Sequence, residues 1–80
     1  MNSEIFNQVK RIIVDVLKIE EGRVTEKASF KDDLGMDSLD QAQLIMELGE
    51  AFHCDISEQD AEKILTVEDA VNYLKAKNLD

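Results

Sequence analysis

Ser38 follows Asp37 at the point where a polar, aperiodic stretch gives way to Leu39-Asp40-Gln41-Ala42-Gln43-Leu44. Asp37, with Asp40 three residues on, has the spacing of a helix-capping pair and is the expected N-cap. Serine is common at helix starts, but one position past the cap it also lies where backbone N–H groups lack intrahelical partners and the dipole favours an anion. Two chemistries suit a hydroxyl there: nucleophilic attack aided by a base, or esterification by a phosphate that the helix end stabilises. The first needs a base at hand. The single histidine, His53, stands fifteen residues farther along. That is about 22 Å on a continuous helix, against the roughly 3 Å that a nucleophile and its base require. No catalytic residue is assigned, and an enzyme is not expected.

Metal chemistry is equally ill served. One cysteine, Cys54, cannot form an internal disulfide, and with His53 beside it falls short of the about four ligands of a structural zinc site. Asp32, Asp33, Asp37 and Asp40 lack the roughly twelve-residue loop with alternating ligands that encloses calcium. No metal site is expected.

The elements that must position Ser38 belong to a chain of 80 residues, room for one hydrophobic core and a single domain over 1–80. Apolar residues make up 44% of it, so it should fold despite a net charge of −9. That charge is opposite to the footprint of a nucleic-acid binder, and neither nucleic acid nor an anionic membrane is an expected partner. No stretch approaches the roughly 18 apolar residues of a membrane span, and residues 1–20 lack the pattern of a secretory signal, so a soluble cytoplasmic protein is the expectation. Between Asp32 and Glu62 lie ten acidic residues and no Lys or Arg, whereas the remainder has eight acids and nine bases. All of the negative excess is therefore central. Such a segment repels itself, which raises the question of what it recognises.

Ile5, Phe6, Val9, Ile12, Ile13, Val16 and Leu17 recur at helical spacing and predict a first helix over 3–17, capped by Asn2 or Ser3. From 18 to 37 no period persists, and Val24, Phe30 and Leu34 are the apolar anchors that must order so long a loop. The second helix runs from Asp37 to about Ala51 or Phe52, a short third follows Ser57, and a fourth follows Thr66, which pairs with Asp69. In the fourth, Val67, Ala70, Val71 and Leu74 form one stripe. The expected fold is all-α: a four-helix bundle with a long loop between helices one and two and a short third helix.

Helix two carries more apolar surface than one-sided packing requires. With Leu44 at zero, Leu44, Ile45, Leu48 and Phe52 span about 0–100°, an ordinary core stripe. Leu39, Ala42, Met46 and Gly49 fall at about 140–220°, beside Asp40, Glu47 and Glu50 at about 240–320°. Either the loop covers this second stripe, or it is a recognition face for a basic partner with apolar holes.

Leu34-Gly35-Met36-Asp37-Ser38-Leu39-Asp40 resembles the D-S-L signature of acyl carrier proteins. Ala28-Ser29-Phe30, Glu50-Ala51-Phe52, Asp60-Ala61-Glu62-Lys63-Ile64 and Thr66-Val67 are similar to the family in the same order, over about residues 4–77. The resemblance implies that Ser38, beside Asp37, receives 4′-phosphopantetheine from coenzyme A through a separate magnesium-dependent phosphopantetheinyl transferase. The arm then carries acyl groups as thioesters. It further implies docking by acyl-transfer and chain-elongation enzymes with basic patches, on Leu39, Asp40, Ala42, Met46, Glu47 and Glu50. An acyl chain would be sheltered by Phe30, Ile45, Leu48, Ile56, Ala61, Ile64 and Ala70. The implied role is a monomeric carrier for fatty acid biosynthesis.

The chain departs from the family pattern at several positions. Gln43 and Gly49 stand where acids are common, Ser57 where a proline usually opens helix three, and Met36 where a small residue usually precedes Asp-Ser. His53 and Cys54 replace an acid and an aliphatic residue. A specialised carrier of polyketide, aminoacyl or lipid A-type acyl groups is the alternative within the fold. From another class, the alternative is an acidic helical adaptor that is never modified.

Overall fold

A computed structural model describes residues 3–78. Among the described residues there are four α-helices: α1 (Ser3–Leu17), α2 (Ser38–Ala51), α3 (Glu58–Lys63) and α4 (Val67–Asn78), with a 3-10 turn at Glu21–Arg23. The all-α bundle expected from the apolar periodicity is therefore the observed one. Ser3 already lies within α1, and the other proposed cap, Asn2, falls outside the described residues. α1 packs against both α2 and α4. Its Val9 and Ile13 are fully buried, together with Leu44 and Leu48 of α2 and Val67, Ala70 and Leu74 of α4.

The long connection from 18 to 37 is held as the anchor residues require. Val24, Phe30 and Leu34 are buried, joined by Ala28 and Met36, whose places in the core no periodicity marked. Burying them also brings the backbone against the α3–α4 junction. The Phe30 N–H donates to the Leu65 carbonyl at 3.0 Å, and the Val67 N–H to the Ala28 carbonyl at 3.1 Å. An isolated antiparallel bridge between Ser29 and Thr66 results. The loop thereby closes the end of the bundle that carries the start of α2.

Caps punctuate the helices where the sequence places them. Thr66 and Asp69 cap α4 reciprocally, each side chain accepting from the other's backbone N–H at 3.2 Å. At α3 the Ser57 hydroxyl accepts from the Asp60 N–H at 3.1 Å, but the Asp60 carboxylate turns away to accept from the Tyr73 hydroxyl at 2.7 Å. That contact ties α3 to α4. Burial, reinforced by the adjoining Asp60 carboxylate, pushes the Tyr73 phenol up to about 12. It therefore stays a donor throughout the physiological range.

Candidate functional site

Ser38 is the first residue of α2 and is exposed. The chain reaches it through Gly35, at φ 69°, a left-handed conformation in which any side chain would be strained. Met36 follows, buried and pinned by its N–H to the Phe30 carbonyl at 2.8 Å. Asp37 is extended and forms the capping box predicted from its spacing to Asp40. The Asp40 N–H donates to Asp37 Oδ1 at 2.9 Å, and the Asp37 N–H to Asp40 Oδ2 at 3.4 Å. The Gln41 N–H donates to the Asp37 carbonyl at 2.9 Å. The box thus occupies the N–H groups of Asp37 and Asp40, and the Asp37 carbonyl that of Gln41, so those of Ser38 and Leu39 are the first-turn groups without an intrahelical partner at the positive end of the helix.

His53 lies past the opposite end of α2, a helix of 14 residues and hence about 21 Å long. It cannot act on Ser38. His53 instead takes the left-handed conformation, at φ 53°, that ends the helix. The Cys54 N–H bonds back to the Gly49 carbonyl at 3.0 Å and the His53 N–H to that of Glu50 at 3.4 Å. This close turn also explains Gly49. A Cβ there would stand 2.9 Å from the Cys54 carbonyl oxygen, so an acidic side chain at this position would force the backbone apart. Among the described residues no group of three or more His, Cys, Asp or Glu side chains could hold a metal ion.

The second apolar stripe of α2 is uncovered. Leu39 is 81% and Met46 56% exposed, and Ala42 is exposed between them. The alternative in which the loop covers Leu39 and Met46 is thereby overturned, because the loop buries its own apolar residues in the common core. Of the acids beside the stripe, Glu50 is exposed, whereas Asp40 is half-buried by its role in the cap. Glu47 is half-buried and lines a cleft along α1 that also includes Lys10, Val14 and Glu21. A further exposed leucine, Leu65 at 60%, lies on the α3–α4 junction. Sequence reasoning misses it, because it belongs to no helix and hence to no periodic face.

Of the seven residues expected to shelter an acyl chain, Phe30, Leu48, Ala61, Ile64 and Ala70 are buried and Ile45 and Ile56 half-buried. Phe30 and Ile64 line a cavity of about 290 Å³, with Met36, Gln41 and Leu65 and the polar residues Ser29, Lys31, Asp32 and Glu62. Leu48 and Ala70 are instead packed in the common core. Gln41 follows Ser38 by three residues on one face of α2, and Met36 precedes it by two, so the cavity flanks the exposed hydroxyl on both sides in sequence. An exposed hydroxyl, two first-turn N–H groups without intrahelical partners and a cavity close by in sequence, lined in part by apolar side chains, fit a phosphate-linked arm.

The family model described as a phosphopantetheine attachment site matches residues 7–74. Among solved structures, the acyl carrier protein from Enterococcus faecalis is similar at 38% sequence identity and a TM-score of 0.78, over 95% of this chain and 96% of that one.

Proposed function

This chain belongs to the phosphopantetheine attachment family and, within it, to the acyl carrier proteins, and we propose that Ser38 is the residue that receives the arm. Members of this family are carriers and not enzymes, and the domain is a site of covalent 4′-phosphopantetheine attachment. The observation that carries the assignment to Ser38 is its hydroxyl, exposed at the first position of α2 immediately behind the capping box. The Ser38 and Leu39 N–H groups would hold the phosphate of the arm, while the box engages the Asp37 and Asp40 carboxylates with backbone donors and so lessens their repulsion. When attached, the arm supplies the thiol on which acyl groups are carried as thioesters.

The pathway assigned is fatty acid biosynthesis, in the cytoplasm and as a monomer. The apolar side chains of Phe30, Met36 and Ile64 in the cavity near Ser38 support an aliphatic cargo, whereas Leu48, Ala61, Ala70, Ile45 and Ile56 do not line it. Acyl carrier proteins interact with phosphopantetheinyl transferases and biosynthetic enzymes generally. Here the docking surface assigned is Leu39, Ala42, Met46 and Glu50, edged by Asp40 and Glu47. The exposed apolar stripe and the charge of the segment around it suit a basic partner with apolar holes.

The test is loading. Purified protein incubated with coenzyme A, magnesium and a broad-specificity phosphopantetheinyl transferase gains the mass of one arm. A folded protein of unchanged mass would refute the carrier reading and leave the acidic adaptor. For docking, Met46→Ala and Glu50→Lys are expected to weaken binding to a cognate acyl-transfer enzyme about tenfold, as truncation of an interface anchor and reversal of a rim charge do. Thermal melts should move little, because both side chains are exposed. Loss of stability in both variants would make these residues structural.

A further inference from the structure

We propose that Met36 is the chain-length-limiting wall of the cavity beside Ser38, an inference that rests on the carrier reading above. Met36 is only 7% exposed, packs in the common core and lines the 290 Å³ cavity with Phe30 and Ile64. Its backbone is fixed from both sides. Gly35 turns the chain through the left-handed region, and the Met36 N–H is held on the Phe30 carbonyl at 2.8 Å. The side chain is buried in the core and lines the recess, two residues from the serine that bears the arm. A small residue at this position would leave that space open, whereas methionine fills it with three further heavy atoms. Removing Cγ, Sδ and Cε makes room for about three more atoms of an aliphatic chain, because a packed surround relaxes only partly around a truncation. Methionine is also unbranched and polarizable, so it yields to a chain end by changing rotamer and sets a limit that is soft compared with that of a branched residue.

The molecule contains its own control. Met46 lies on the exposed stripe of α2, away from the cavity. An acyl chain that enters the recess therefore alters the surroundings of the Met36 methyl group and leaves those of Met46 alone.

The experiment uses full-length protein carrying 13C-methyl methionine, loaded through the transferase with a series of saturated acyl arms from butyryl to palmitoyl. Met36→Leu and Met46→Leu assign the resonances. The Met36 methyl signal is expected to move progressively with chain length and then to stop, while the Met46 signal stays at its unacylated position. In Met36→Ala, the gain in melting temperature on acylation should continue to chains about three atoms longer than in the wild type, whereas the near-isosteric Met36→Leu should keep the wild-type limit. Should Met36→Ala be unfolded, the wild-type methyl series alone decides. A Met36 signal unmoved by every chain in a fully loaded protein overturns this inference and leaves the carrier reading intact. Absence of any added mass overturns the carrier reading and the inference with it.

Discussion

Ser38→Ala is expected to gain no arm under conditions that load the wild type completely, and to melt within about 0.5 kcal/mol of it. Both halves follow from the geometry of the helix start. The hydroxyl is exposed, and the cap is made by Asp37 and Asp40 without it. Alanine is the best helix former, so the first turn keeps its shape when the nucleophilic oxygen is removed. Asp37→Ala separates the two roles in the opposite sense. It retains the hydroxyl but strands the Asp40 N–H, at a cost of about 0.5–2 kcal/mol. Loading is read by intact mass and stability by denaturant melts on the same samples. An arm still added to Ser38→Ala would move the attachment to another hydroxyl. A large loss of stability would make the serine structural.

The helix start was legible in the sequence because everything that builds it is local. Asp37 and Asp40 lie three residues apart, and the capping box depends on that spacing and on nothing distant. The same holds for Thr66 with Asp69. Periodicity likewise marks Val9, Ile13, Leu44, Leu48 and Leu74 as core, because a helix turns a repeat in sequence into a face in space. What stayed hidden depends on tertiary closure. The partner of the Asp60 carboxylate is Tyr73, on another helix, so the Ser57–Asp60 cap is made from one side only. Leu65 is exposed because the bridge between the long loop and Thr66 fixes its backbone while its neighbours Ile64 and Val67 turn inward. Gly49 reads as a departure until the returning Cys54 carbonyl is seen beside it.

The candidate site divides along the same line. Ser38 and the exposed stripe can be placed from one helix alone, since a wheel separates Leu39, Ala42 and Met46 from Leu44 and Leu48. Which of these faces is wet cannot, because that depends on where the loop deposits Phe30, Leu34 and Met36. The loop buries these residues in the common core and leaves the second stripe bare. The cavity is harder still. Its walls come from the loop, α2, α3 and the α3–α4 junction, so no single period contains them, and Met36 reaches it directly after the left-handed turn at Gly35.

Leu48→Ala is expected to destabilise the fold by about 2–5 kcal/mol, the range for truncating a buried leucine. Leu48 is completely buried and belongs to the same core cluster as Val9 and Ile13 of α1, Leu44 of α2 and Phe52 just past its end. Tight packing around it prevents full collapse into the vacated space, so the lost transfer energy is joined by a cavity term. In a domain of this size each 1 kcal/mol lowers the melting temperature by about 4–8 °C, which puts the loss at roughly 10 °C or more. Set against total stabilities of about 5–15 kcal/mol, the change removes a large share. Met46→Ala, on the same helix, removes a side chain 56% exposed to solvent and should cost far less. The pair therefore measures the division of α2 into a face that holds the fold and a face that stays available. While it remains folded, Leu48→Ala should still accept the arm, because the capping box around Ser38 lies almost three turns away. Equal melting of the two variants would mean that the second stripe is also packed. Failure of folded Leu48→Ala to load would mean that the helix start depends on the core beneath it.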